Sequence, residues 1–302
     1  MNNIYKKQVA LLIKIAPLLY PIKEFAVHGG TAINLFHRNL PRYSVDLDIT
    51  YIPIKSREES LEHINLLLAG LKERIEKSIP NIKVVHKPNI WKLQCSVAGA
   101  TVKLEVNGIK RGIIGKVEEK ELCQKAQDEF NTNCIVRIVP FSLLYGGKIA
   151  AALSRQHPRD LFDYSRMDNT LFSDIKDGFL FYLLGADKPI IELLNPNLID
   201  QRQALENQFR GMTDEDFEYA DYEKSRLELI SKIANLITDN DKEFFISFEE
   251  GEPNWELCSI GDISHYPSIA WKLQNIKTLR ANNPIKHNEG VQRLTKHLYK
   301  TV

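Results

Sequence analysis

Residues 28–48, HGGTAINLFHRNLPRYSVDLD, decide how the first half of this chain is read. The apolar run Phe25-Ala26-Val27 ends in a Gly29-Gly30 pair, a short amphipathic stretch follows, and Asp46-Leu47-Asp48 comes next. Side chains alternate in an extended segment, so Asp46 and Asp48 point the same way, and Ser44 shares their face. Two neighbouring carboxylates repel each other. A divalent cation relieves that repulsion, and hard oxygen ligands suit Mg²⁺. A glycine turn before a helix leaves backbone N–H groups free to cradle phosphate, which makes Gly29, Gly30 and Thr31 candidate phosphate contacts. Arg42, just before the acidic pair, can reach a phosphate. Metal and phosphate together point to nucleotide chemistry.

Working outward, the pattern predicts a helix over 5–20, a strand over 24–28, a short helix over 31–37 and an alternating strand over 45–51. Residues 56–79 read as an amphipathic helix, with Ser56 and Glu59 spaced as a capping box. Strands are predicted at 82–86, 90–97, 100–107 and 134–139, the middle two joined by the hairpin signal Ala98-Gly99-Ala100. Helices follow over 141–156 and 159–167, separated near Pro158. Further on, helices are predicted over 173–184, 198–209, 213–238 and 267–281, and 240–266 reads as a long loop or a small strand pair. The expected architecture is α/β (α+β). A domain built on a small mixed sheet spans 1–167, and a mostly helical domain spans 168–302.

Two further segments carry chemistry. On the predicted strand 100–107, Lys103 and Glu105 share one face. If this strand pairs beside 45–51, Glu105 lies next to the Asp pair as a third carboxylate, serving as a ligand or as general base toward an attacking hydroxyl. The block KIAAALSRQHPRDLFD, 148–163, places Lys148 and Arg155 seven residues apart on one helix face. Arg159 and Asp160 follow Pro158, and Asp163 lies one turn on. One Lys and two Arg suit the charge of a triphosphate, Arg adding a bidentate fork. Asp160 and Asp163 would orient those cations. Tyr145-Gly146-Gly147 reads either as a second glycine loop or as a place of close helix packing.

The 302 residues are 43% hydrophobic and 26% charged, which excludes wholesale disorder and leaves room for one or two cores. No hydrophobic stretch reaches transmembrane length, so no membrane partner is expected. Cys95, Cys123, Cys134 and Cys258 lack CxxC spacing. Structural zinc is therefore not expected, and reduced cytoplasmic thiols are the default. The net charge of +1 hides a division: counted as Lys+Arg against Asp+Glu, residues 1–167 carry +9, 168–262 carry −14 and 263–302 carry +6. Basic segments favour polyanions, unless the acidic segment neutralises them within the fold.

The Gly-Gly…DxD arrangement with a later strand carboxylate resembles the DNA polymerase beta nucleotidyltransferase superfamily. Three segments narrow the likeness: HGGTAINLF, RYSVDLDITY and GGKIAAALSRQHPRDLFD. Together they resemble the AbiEii nucleotidyltransferase toxins of bacterial type IV toxin–antitoxin systems, over the first 165 or so residues. The resemblance implies that Asp46 and Asp48 hold Mg²⁺ against a nucleoside triphosphate (NTP), that Gly29, Gly30 and Thr31 hold its phosphates, and that Lys148 neutralises the departing pyrophosphate. It also implies an RNA acceptor, the 3′ end of tRNA, whose modification blocks translation. An antitoxin that need not touch the toxin is implied as well. A small molecule such as an antibiotic, a protein hydroxyl, or a non-catalytic binding module on the same fold are the competing readings of the same residues.

Overall fold

The computed structural model describes residues 2–168 and 172–300; residues 169–171, 301 and 302 of the expected second domain lie outside them. The chain divides into two compact units. The first comprises residues 1–144 together with 205–216, and the second comprises 145–204 together with 217–302.

The first unit is organised by a seven-stranded mixed sheet of order β3-β4-β5-β2-β1-β7-β6. Its strands are β1 (Phe25–His28), β2 (Asp46–Tyr51), β3 (Lys83–Lys87), β4 (Lys92–Val97), β5 (Ala100–Val106), β6 (Glu118–Glu121) and β7 (Ile135–Ile138). β1 runs antiparallel to β2, and β2 runs parallel to β5. Ala98 and Gly99 both have positive φ, +50° and +78°, the backbone of the two-residue turn that matches strand twist in a hairpin. This turn pairs β4 with β5.

Alternation makes the sheet two-faced. Leu47, Ile49, Leu93, Cys95, Val102, Leu104 and Val106 are buried, while Asp46, Asp48, Lys103 and Glu105 on the opposite face retain access to water. Helices α1 (Asn3–Ile15) and α3 (Arg57–Ser78) pack on this sheet. Ile64, Leu68, Leu71 and Ile75 form the buried stripe of α3, and Ser56 with Glu59 closes its capping box. The expected helix over 5–20 is α-helical only to Ile15, and Ala16–Leu19 tighten into a 3-10 turn. Pro17 has no N–H for the next α-type bond. Two elements went unpredicted here. β6 reads Glu-Glu-Lys-Glu, with no apolar alternation, because it is a charged edge strand. Helix α4 (Gln124–Phe130) follows it and buries only Ala126.

Residues 205–216 are tied into the first unit by hydrogen bonds to main-chain carbonyls. Asn2 N–H donates to the Gly211 carbonyl (2.7 Å), Tyr43 N–H to the Met212 carbonyl (2.7 Å), and the Thr213 hydroxyl to the Pro41 carbonyl (2.8 Å). They thereby hold the segment that leads into β2.

The second unit is helical. Helix α5 (Phe141–Arg155), which enters it at Tyr145, is followed by α6 (Pro158–Ser165), α7 (Lys176–Leu184), α8 (Ile190–Leu194), α9 (Arg202–Gln208), which leaves it after Ala204, α10 (Tyr219–Leu236), α11 (Asp239–Glu249), α12 (Pro267–Asn282) and α13 (Pro284–Leu298). A Cβ on Gly146 would sit 2.3 Å from the backbone of Gly178 and Phe179. Gly146 therefore marks close helix packing rather than a loop. The division expected at 167 falls inside this unit, because α6 packs on α10. The 240–266 stretch differs from the expected loop or strand pair. α11 occupies its first part, started by a Thr238–Asp241 capping box and buried through Phe244, Phe245 and Phe248. Helix α13 was also unpredicted.

Candidate active site

The candidate site is built where β1 ends and β2 begins. His28 lies opposite Asp48 in the antiparallel register, and the chain then turns through Gly29 at φ +71°. That backbone is costly for any residue with a Cβ. Space gives a second reason for glycine: a Cβ there would lie 2.2 Å from Asp48 Oδ2. The Asp48 carboxylate thus rests directly over the turn. At Gly30 a Cβ would meet Arg42 Nη2 at 2.7 Å and Ser44 Oγ at 2.9 Å. The two glycines therefore let a carboxylate, a guanidinium and a hydroxyl close on one stretch of backbone.

A short helix, α2 (Gly29–Thr31), continues as a π-helical turn over Ala32–His37, closed by Arg38 N–H to the Ile33 carbonyl. Such turns are frequent at functional sites. Thr31 is fully buried; its hydroxyl donates to the Asp46 carbonyl (2.5 Å) and lies 3.1 Å from Ser44 Oγ. This hydroxyl therefore fixes the start of β2. Arg42 is buried and donates to the Tyr43 carbonyl (2.9 Å). Tyr43 OH donates to Glu129, and burial followed by that carboxylate pushes its pKa up. Asn34 Nδ2 donates to the Gly30 carbonyl (2.8 Å).

Gly29→Ala is expected to cost about 1–2 kcal/mol in backbone strain alone and to push Asp48 out of place. In a nucleotide-transfer assay its rate should fall at least tenfold relative to wild type, with the folded fraction checked by circular dichroism. A wild-type rate would show that the close approach of Asp48 to the turn is not used.

The parallel register sets Asp46 beside Lys103 and Asp48 beside Glu105, so the sheet does bring Glu105 to the Asp pair. Glu105 is also engaged from its other side, with Lys92 Nζ 2.6 Å from its Oε1. Lys92 was not singled out from sequence. Counting back from the Ala98-Gly99 turn places it opposite Glu105, which was the available signal. Among the described residues no group of three or more His, Cys, Asp and Glu side chains converges as a metal cluster. Asp46 and Asp48, neighbours in the i, i+2 relation and open to water, are the donors whose chemistry fits a hard divalent cation.

The second sequence block lies in the other unit. Lys148 on α5 is buried, its ammonium 3.0 Å from Asp160 Oδ1 and 2.8 Å from Asp163 Oδ2 on α6. Arg155 donates to both oxygens of Asp160, through Nε at 2.5 Å and Nη2 at 2.9 Å. Burial alone would raise the pKa of Asp160; Lys148 and Arg155 overcome it and hold this carboxyl well below the usual range. His157 caps α6, its Nδ1 accepting from Arg159 N–H (3.2 Å), with Pro158 in the first turn. The connection between the helices is pinned by Gln156. Its Nε2 donates to the Asn197 carbonyl (2.7 Å), and its carbonyl accepts from Tyr222 OH (2.9 Å). Arg226 Nη1 donates to Gln156 Oε1 (3.1 Å). Asp160 thus contacts both Lys148 and Arg155, and Asp163 contacts Lys148.

The first unit thus sets a Gly-Gly turn under Asp48 of a strand-borne carboxylate pair. The family model described as "Nucleotidyl transferase AbiEii toxin, Type IV TA system" matches residues 21–275. The chain therefore belongs to the AbiEii family of nucleotidyltransferase toxins from type IV toxin–antitoxin systems. Its fold is similar to that of MenT4, a nucleotidyltransferase toxin from Mycobacterium tuberculosis H37Rv. The TM-score is 0.57 at 13% sequence identity, covering 90% of this chain and 93% of that one. No curated protein sequence matches the chain. No helix among the described residues is long and apolar enough to cross a membrane.

Proposed function

We propose that this enzyme transfers a nucleoside monophosphate from an NTP to an RNA acceptor, the 3′ end of tRNA, and thereby blocks translation. The observation that carries the reading is the Asp46–Asp48 pair, with Asp48 seated over the Gly29-Gly30 turn. Asp46 and Asp48 would hold Mg²⁺, which when bound offsets charge on the phosphate oxygens and aligns the triphosphate. The glycine backbone admits the phosphates closely, and Arg42, Ser44 and Thr31 shape that turn. Lys148 supplies positive charge to the departing pyrophosphate, with Arg155 and Arg159 as further triphosphate contacts and Asp160 and Asp163 as their anchors. In the transfer, an RNA hydroxyl oxygen bonds to the α-phosphorus, the bond from that phosphorus to the bridging oxygen breaks, and pyrophosphate leaves. Glu105, next to Asp48 in the strand register, would serve as a further ligand or as the base that takes the hydroxyl proton. An antitoxin acting without direct contact and a cytoplasmic location complete the reading.

The test supplies each [α-³²P]NTP with Mg²⁺ to separate pools of RNA, protein and small molecules. Label should enter RNA, and intact-mass analysis should show nucleotide additions at tRNA 3′ ends. Label confined to the protein or small-molecule pool would overturn the RNA acceptor and leave the transferase chemistry standing.

A further inference from the structure

The C-terminal helix α13 carries a stripe of cations that the active-site chemistry does not use. Lys286 and Arg293 are seven residues apart, and Lys296 is three further on. At 3.6 residues per turn these three fall within an arc of about 80° and span about 15 Å of helix. Lys300 lies just beyond the helix end. All four are exposed, whereas His287 and Leu294 form the opposite, buried face, and α13 packs on α11 and α12.

Two observations separate this stripe from an ordinary solvated helix face. In the same unit, four of the five other exposed cations among the described residues find carboxylates: Arg155 with Asp160, Arg202 with Asp200, Lys224 with Glu228 and Arg280 with Glu252, while Lys277 does not. None of Lys286, Arg293, Lys296 and Lys300 makes an ion pair among the described residues, although Glu289 stands at pairing distance in sequence from both Lys286 and Arg293. The second observation is the place of Lys286. Lys296 in the last turn complements the helix dipole, but Lys286 sits in the first turn, where a positive charge opposes it. Helix stability therefore accounts for one end of the stripe and not for the other. An aromatic ring, Tyr299, lies half-exposed at its end.

We infer that the Lys286–Arg293–Lys296 face of α13 is a docking surface for the phosphodiester backbone of the RNA acceptor. The inference rests on the RNA reading above and adds the surface that holds it. A row of unpaired cations with one acid among them suits a regularly charged polyanion, which gains by releasing its counterions. Backbone contacts of this kind position the nucleic acid without reading its sequence.

The experiment uses the full chain and a 5′-labelled tRNA pool, titrated across a series of salt concentrations. The variant Lys286→Gln/Arg293→Gln/Lys296→Gln should bind the pool on the order of a hundredfold more weakly near physiological salt. Its salt dependence should be shallower by about 1 for each cation removed. Binding of Mg²⁺–NTP by calorimetry should match wild type, and Lys286→Arg/Lys296→Arg should retain RNA binding. A control in which Lys224 and Lys232 of α10 become Gln should lose far less. The docking surface is overturned if the triple variant binds as wild type does, or if the control loses as much. If wild type labels RNA while the triple variant still binds normally, the surface falls and the acceptor reading stands. If wild type neither binds nor labels the tRNA pool, including the case where it binds anionic vesicles instead, the acceptor reading falls and takes the surface with it.

Discussion

Asp48→Asn is expected to lower nucleotide transfer by about three orders of magnitude, with Asp46→Asn falling comparably. The amide keeps the volume of the side chain that rests over Gly29, so the turn need not move. What changes is one unit of negative charge at a site whose proposed work is to hold a divalent cation. Without that charge the cation binds more weakly, and charge building on the phosphate oxygens goes uncompensated. Asp48 is exposed and Asp46 half-exposed, so stability should shift by no more than about 0.5 kcal/mol. Relief of carboxylate repulsion pushes that shift toward greater stability. The prediction is therefore a separation of activity from folding, read by a label-transfer assay beside a thermal melt. Raising Mg²⁺ should recover part of the lost rate in either variant. Undiminished transfer by both variants would remove the carboxylate pair from the chemistry.

This centre was legible because it is local. Glycine at a positive-φ turn, i, i+2 alternation in β2 and the Ser56–Glu59 box are each written within a few residues. The β4–β5 hairpin was equally plain, and its register also contained the Lys92–Glu105 pair for anyone counting back from Gly99. What the sequence hides is structure with weak apolar periodicity. β6 is all charge. α13 buries only His287 and Leu294, and α11 lies in an acidic segment close to Gly251 and Pro253. The return of residues 205–216 to the first unit is harder still. Its tie to Tyr43 is a main-chain bond to the Met212 carbonyl, which any residue pair can make and no side-chain pattern announces. The unit boundary falls before α6 and not at 167 because α6 packs on α10, a contact between segments more than fifty residues apart that no local pattern announces.

The Lys148 ion pairs carry the second large effect. Asp160→Asn is expected to destabilise the chain by about 3 kcal/mol at neutral pH, because it leaves Lys148 with Asp163 as its remaining carboxylate and strips Arg155 of its bidentate partner. A buried charge that loses its counter-charge costs more than an exposed one, and both Lys148 and Asp160 are nearly inaccessible to water. The pH dependence has a definite sign. The folded-state pKa of Asp160 is depressed below its ordinary 3.8, despite the burial that opposes it. Its contribution is thus fully present above the unfolded-state value and is lost as pH falls through 3.8 toward the folded value. The gap in urea midpoint between wild type and variant should be constant from neutral pH downward and begin to close below about pH 5. Transfer activity should fall with the same substitution even where the variant is fully folded, since the ammonium proposed to meet the pyrophosphate is no longer fixed by both carboxylates. An Asp160→Asn protein with wild-type midpoint at neutral pH, or a gap that widens on acidification, would show that the network does not hold Lys148 in the way its geometry indicates.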